Sequence, residues 1–172
     1  LDLKLHDIPN TVEKGLRAIT KLKPIFTTIH VCGGDQMQRI TKIKNNKKTK
    51  ILGVTILTSL DKKQTYKYYK EKNINMLVKK FSIYAKENGI NGLVCSPLEI
   101  ESIRKAIGKK MILVVPGIRL GKKLLNKKDD QKRTLDPKQA IKLGADFLVI
   151  GRPITESKNP LLTIKNINLL TQ

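Results

Sequence analysis

The sequence predicts an α/β fold made of about six βα units around a parallel sheet, and three observations carry that prediction. Short β-branched or Leu-rich runs alternate with longer stretches of helical period. Several strand-like runs are nearly continuous in apolar residues, as expected when both faces of a sheet are dry. Helix-capping residues recur where the helical stretches begin.

Strands are expected at residues 1–5, 25–31, 51–57, 92–95, 111–115 and 147–150, and amphipathic helices at 11–22, 36–44, 74–87, 98–107, 138–143 and 161–170. Asn10, with Glu13 three residues on, can cap the first helix. Ser96-Pro97 with Glu99 supplies a cap, an N1 proline and an N3 carboxylate, and Asp136-Pro137 and Asn159-Pro160 repeat the first two elements. The connections 58–73 and 116–135 are longer than a βα unit needs, and both follow strand C-termini, where α/β barrels place active sites. The 172 residues are read as a single domain. Six units are two short of a closed barrel, and Leu1 is not Met and falls inside an expected strand, so the chain is expected to be a fragment.

Charge would ordinarily suggest a polyanion partner, since 35 Lys and Arg face 14 Asp and Glu for a net charge of +21. The excess is mostly lysine in runs rich in Ile and Asn, as in an A+T-biased coding sequence, and aromatic residues are 4% with no Trp, so stacking platforms are few. No specific nucleic-acid binding is expected. Apolar runs are strand-sized, which excludes a membrane helix, and no signal peptide is visible. Cys32 and Cys95 lack any metal-ligand or disulfide-framework spacing and read as reduced thiols of a cytoplasmic protein.

Asp2 and Lys4 alternate with Leu1, Leu3 and Leu5, so a strand would place both charges on one face. Such a pair is costly to bury unless it is used, although an ion pair that fixes register, or an exposed edge pair, fits the spacing equally well. Asp7 lies just past the strand end, and His6 beside it reads as a hydrogen-bonding structural residue. Arg119 and Gly151-Arg152 each follow an apolar strand, where backbone N–H groups and guanidinium donors could meet a phosphate, or each Arg could simply cover a strand end. Thr58, taken alone, is a strand-end hydroxyl.

The stretch DLKLHDIPNT, Asp2 to Thr11, closely resembles the signature of orotidine 5'-phosphate decarboxylases, whose Asp-x-Lys-x-x-Asp core is shared with related sugar-phosphate decarboxylases and synthases. The extension through Ile8, Pro9, Asn10 and Thr11 narrows the match. Further segments follow in the family's order: HVCGG from His30, VTILTS from Val54, GLVCSPLE from Gly92, PGIR from Pro116, DQKR from Asp130 and GADFLVIGRPIT from Gly144.

The resemblance implies a (β/α)8 TIM barrel of which the last six βα units are present, and a cytoplasmic, cofactor-independent homodimer that converts orotidine 5'-phosphate to uridine 5'-phosphate in de novo pyrimidine biosynthesis. It implies catalytic roles for Lys4, Asp2 and Asp7, with Lys4 as the acid that protonates the ring carbanion left by carbon dioxide. It implies substrate contacts from Ile8, Pro9, Asn10, Thr11, Thr58, Arg119, Gln131, Gly151 and Arg152, with Asp7 and Thr11 reaching across the dimer interface, Gln131 bridging phosphate and base, and no metal. The family also carries an Asp and a Lys on strands preceding this motif, which this sequence does not contain. If the 172 residues are the whole polypeptide, poor stability and little or no turnover are expected. Two other readings stay open: a metal-dependent sugar-phosphate decarboxylase or synthase of the same superfamily, and an inactive basic remnant.

Overall fold

The computed structural model describes residues 1–40, 48–120 and 134–171. Among them lie five strands, β1 (Phe26–His30), β2 (Lys50–Val54), β3 (Gly92–Val94), β4 (Ile112–Val115) and β5 (Phe147–Leu148). Helices α1 (Pro9–Lys21), α2 (Gly34–Arg39), α3 (Lys62–Tyr69), α4 (Ile74–Glu87), α5 (Ile100–Ile107), α6 (Pro137–Leu143), α7 (Arg152–Thr155) and α8 (Pro160–Thr171) intervene and follow. Every neighbouring pair of strands is parallel, and the order across the sheet is the order along the chain.

The expected strand at 1–5 is reduced to one parallel bridge between Leu5 and Ile29. The cause is Lys4, which sits at φ 50, in the left-handed region that breaks an extended ladder. Asn10 is not a cap either. The helix starts two residues earlier than expected, at Pro9, because Ile8 takes an extended conformation (φ −59, ψ 151) and proline suits the first helical turn. The other three expected caps form. Ser96 and Glu99 make a reciprocal box, Asp136 accepts from Gln139 N–H at 3.0 Å, and Asn159 accepts from Leu162 N–H at 3.1 Å.

Two helices were not expected. α3 lies inside the 58–73 connection, where Asp61 and Gln64 form a capping box, and α7 is a single turn after β5. The expected helix 36–44 is α2 as far as Arg39, and residues 41–47 lie outside the described residues.

Strand alternation divides the sheet into two faces. Ile29, Ile51, Leu93, Leu113 and Val115 point outwards and are fully buried against Leu16, Met37, Val78, Ile103 and neighbouring helix residues. α1 contributes Val12, Leu16 and Ile19 at helical spacing, and α4 contributes Leu77, Val78 and Ala85. Arg104 of α5 ties this layer to the sheet. It donates to the carbonyls of Gly108, Met111 and Gly144 and to the Asp146 carboxylate, which also accepts from Leu113 N–H at 2.7 Å.

The inner face is concave. Phe26 and Phe147 come from the two edge strands, yet their rings meet edge to face with centroids 5.1 Å apart, so the sheet is rolled until its edges approach. Rolling crowds the inner side at the row Leu52, Gly92, Ile112. A Cβ on Gly92 would lie 2.5 Å from the Ile112 carbonyl oxygen and 2.8 Å from Leu52 Cδ2, so only glycine fits without displacement. Gly92→Ala should therefore lower stability by about 1–3 kcal/mol in urea unfolding. An unchanged midpoint would show that β3 and β4 separate freely.

Candidate active site

The Asp2–Lys4 pair stands at the start of the chain against β1. Lys4 Nζ donates to Asp2 Oδ2 at 2.5 Å, and Asp2 Oδ1 accepts from the Thr28 hydroxyl at 2.8 Å. Thr28 Oγ1 in turn accepts from Lys4 N–H at 2.8 Å, and the Thr28 carbonyl accepts from Leu5 N–H at 3.1 Å. Both charges thus face the concave side, as the alternation predicts, but through a left-handed residue rather than a regular strand. Partial burial acts to raise the Asp2 carboxyl. Hydrogen bonds from Lys4 and Thr28, with the Lys4 charge, outweigh it and hold the group below its ordinary value.

The pair edges a cavity of about 450 Å³, within the range of small-molecule sites. Its walls are apolar and drawn from alternate positions of successive strands: Phe26 from β1, Leu52 and Val54 from β2, Val94 from β3 and Val114 from β4. Ile56, Thr58, Cys95 and Pro116 complete it beyond the C-terminal ends of their strands, and Val149 lies just past β5. A charged pair beside apolar walls feels a lower dielectric than in water, so an anion forming near Lys4 would be strongly attracted.

The remaining expected residues are placed less centrally. Asp7 does not meet the Asp2–Lys4 pair; its carboxylate accepts from Ile8 N–H at 2.6 Å and is exposed. Ile8 is 66% exposed, Pro9 opens α1, and Asn10 and Thr11 lie exposed on its first turn, none of them lining the cavity. Arg119 follows β4, where its N–H donates to Leu135 and its guanidinium to the Ile118 carbonyl at 2.9 Å. Gly151 and Arg152 open α7 a short way past the end of β5 at Leu148. Because β4 and β5 are adjacent and parallel, both arginines belong to the end of the sheet where Thr58 and Pro116 lie, although neither lines the cavity. Gln131 lies outside the described residues.

Sequence reasoning did not place Thr28 or Cys95 at the site; from its spacing Cys95 reads only as a reduced thiol. Thr28 shares the inward face of β1 with Phe26 and could have been placed there from the alternation, but its link to Lys4 depends on a backbone conformation that no local motif announces. Among the described residues no group of three His, Cys, Asp or Glu side chains is arranged to hold a metal, and no helix is long and apolar enough to cross a membrane.

A second polar cluster lies behind the motif. The His6 and His30 rings are 5.4 Å apart, and Cys32 Sγ is 4.0 Å from His6 Nε2. Burial first, then repulsion from His6 and Lys4, pushes His30 below its ordinary 6.5, with Asp2 opposing weakly. An unfolded chain binds this proton more readily than the folded one, so the contribution to stability is intact above 6.5 and is lost as pH falls through the depressed folded value. A proton NMR titration should place His30 below 6.5, and His30→Asn should flatten the fall in melting temperature across that window. A ring titrating at or above 6.5 would refute this account of its surroundings.

Comparison with known proteins places these features. The family model described as orotidine 5'-phosphate decarboxylase / HUMPS family matches residues 1–167. The orotidine 5'-phosphate decarboxylase of Aquifex aeolicus is 47% identical over 169 residues, covering 96% of this chain and 70% of the relative. That of Syntrophomonas wolfei is 45% identical over 171 residues, with 94% and 70% covered. The crystal structure of orotidine 5'-phosphate decarboxylase from Lactobacillus acidophilus superposes with a TM-score of 0.81 at 33% identity, covering all of this chain and 74% of that one. With the family model spanning nearly its whole length and the motif pair set in the cavity of a rolled parallel sheet, this chain belongs to the orotidine 5'-phosphate decarboxylase / HUMPS family.

Proposed function

We propose that this chain decarboxylates orotidine 5'-phosphate to uridine 5'-phosphate at the concave cavity, with Lys4 as the proton donor. The observation that carries the reading is the Lys4 ammonium, bonded to Asp2 at 2.5 Å on the edge of an apolar cavity. Loss of carbon dioxide leaves an electron pair on the pyrimidine ring carbon. A fixed positive charge stabilises that pair as it forms and then transfers its proton to the carbon, which replaces the carboxylate with hydrogen. Asp2 serves twice in this reading: it orients the ammonium, and its own negative charge stands near the departing carboxylate, which disfavours the bound ground state.

Thr58, on the cavity wall, is suited to a pyrimidine contact, and the apolar side chains of Leu52, Val54, Val94 and Val114 are suited to a flat ring. Arg119, Gly151 and Arg152 are assigned to the phosphate because they follow the last two strands of the sheet, with Gln131 bridging phosphate and base. Binding energy from the phosphate is then spent in holding the ring against Lys4. Nothing in this scheme requires a metal or an organic cofactor, and the enzyme works in the cytoplasm. Asp7 and Thr11 are assigned to the neighbouring site of a homodimer. Their exposure away from their own cavity, with the exposed Ile8 between them, supports that assignment.

Release of carbon dioxide from orotidine 5'-phosphate tests the chemistry. Lys4→Ala should reduce kcat by at least about 10³-fold, and chelators should leave the wild type unaffected. Arg152→Ala should raise KM by about tenfold or more, as loss of a charged hydrogen bond implies. Turnover that survives in Lys4→Ala would end the assignment of the acid, and turnover abolished by chelation would favour a metal-dependent relative. For the dimer, inactive Lys4→Ala and Asp7→Asn proteins, mixed and re-equilibrated in equal amounts, should regain about a quarter of wild-type activity, since only one site of each mixed dimer is intact. No recovery on mixing would place Asp7 in its own chain's site.

A further inference from the structure

β1 carries two consecutive threonines that face opposite ways. Thr27 points outwards and buries its hydroxyl with no hydrogen-bond partner, so β-branched packing accounts for it. Thr28 points inwards, is also buried, and uses its hydroxyl in both roles: one bond is accepted from Lys4 N–H and one is donated to Asp2 Oδ1, both at 2.8 Å. The direction of these bonds is fixed by chemistry. A backbone N–H can only donate and an ionised carboxylate can only accept, so the single hydroxyl proton points at Asp2.

The hydroxyl is not needed to build β1. The Thr28 carbonyl already accepts from Leu5 N–H, and β1 pairs with β2 through its backbone. It is needed at Lys4. The left-handed conformation there, φ 50, is unfavourable for a side chain with a Cβ and removes the Lys4 N–H from any regular ladder. A bond to Thr28 satisfies that N–H and stabilises the turn. The same oxygen atom then anchors the carboxylate that receives the Lys4 ammonium, closing a loop of three bonds over two charged side chains.

We infer that Thr28 is a positioning residue for the Asp2–Lys4 pair, its hydroxyl holding the turn at Lys4 and aiming the Asp2 carboxylate. It acts through those two residues and not on the reacting atoms, and its kinetic consequence rests on the reading of Lys4 as proton donor. A misplacement of about 1 Å in a reacting group can lower a rate about a hundredfold, so a lost anchor here is felt in kcat.

The test compares Thr28→Val, which keeps the branched shape without the hydroxyl, with Thr28→Ser, which keeps the hydroxyl. Carbon-13 NMR titration of the Asp2 carboxylate needs no turnover. The titration should move to higher pH in Thr28→Val and stay in place in Thr28→Ser, because only the former loses a bond to the charged form. In decarboxylation, Thr28→Val should lose about 10- to 100-fold in kcat with KM changed by less than about threefold, and Thr28→Ser should restore kcat. Should Thr28→Val fail to fold, Thr28→Ala carries the same expectations. An unmoved Asp2 titration, or equal losses in the valine and serine variants, would overturn the inference. The Lys4→Ala control keeps the two readings apart: turnover that survives it removes the proton donor, whereas turnover lost in Lys4→Ala but retained in Thr28→Val removes only the positioning role.

Discussion

A parallel sheet whose outer face must be kept from water governs everything else in this molecule. Parallel neighbours cannot be joined by tight turns, so each strand is followed by a helical excursion, and those helices cover the outer face. The inner face has no helix layer of its own among the described residues, and the sheet answers by rolling, as the contact between Phe26 and Phe147 demonstrates. Glycine at position 92 is the local cost of that curvature, since the inner rows crowd where the radius is smallest. What remains inside is an apolar cavity whose rim is made by strand ends and the segments that leave them. Such a sheet is part of the TIM barrel architecture of the family's solved structures.

Against that apolar lining the Asp2–Lys4 pair contributes little to holding the fold together. The two side chains are 63% and 39% exposed, and ion pairs of that exposure contribute about 0–1 kcal/mol. Stability comes from the outer layer, where Leu16, Met37, Ile103 and Leu113 are excluded from water, and from Arg104, whose several bonds lock α5 to the β4–β5 margin. The pair is therefore separable from the scaffold. Its position, dictated by a strained backbone at Lys4 and a buried threonine, is of more use to chemistry than to folding.

Much of this was legible from residues. Ser96 with Glu99, Asp136 and Asn159 mark helix starts by side-chain chemistry that works locally, and each forms. Helix α4 spans Ile74 to Glu87, the limits its apolar period suggests. Asn10 failed as a cap because Pro9 suits the N1 position better, a competition between two local preferences. Helix α3 was overlooked because Lys62 to Tyr69 has weak apolar periodicity, although the Asp61 and Gln64 box was a usable signal. The least readable feature was Lys4. Lysine has no special tendency to positive φ, so its conformation is set by a partner 24 residues away. Inward alternation of Asp2 and Lys4 predicted the correct face for an incomplete reason, since their segment is held by one bridge and a hydroxyl.

Strand order that equals chain order has a consequence for how the molecule is made. Each βα unit docks beside the one synthesised just before it, so every strand from β2 onwards meets one neighbour that is already made. Growth is by accretion at one edge, and the strand pairings laid down at each step span only one unit of sequence, which keeps the entropy of loop closure small until the edges meet at Phe26 and Phe147. Until the next unit arrives, the most recent strand presents its backbone to solvent and to other nascent chains. Lysine-rich surfaces suit such a history, because a chain with a net charge of +21 repels its own copies during the interval when its edge is open.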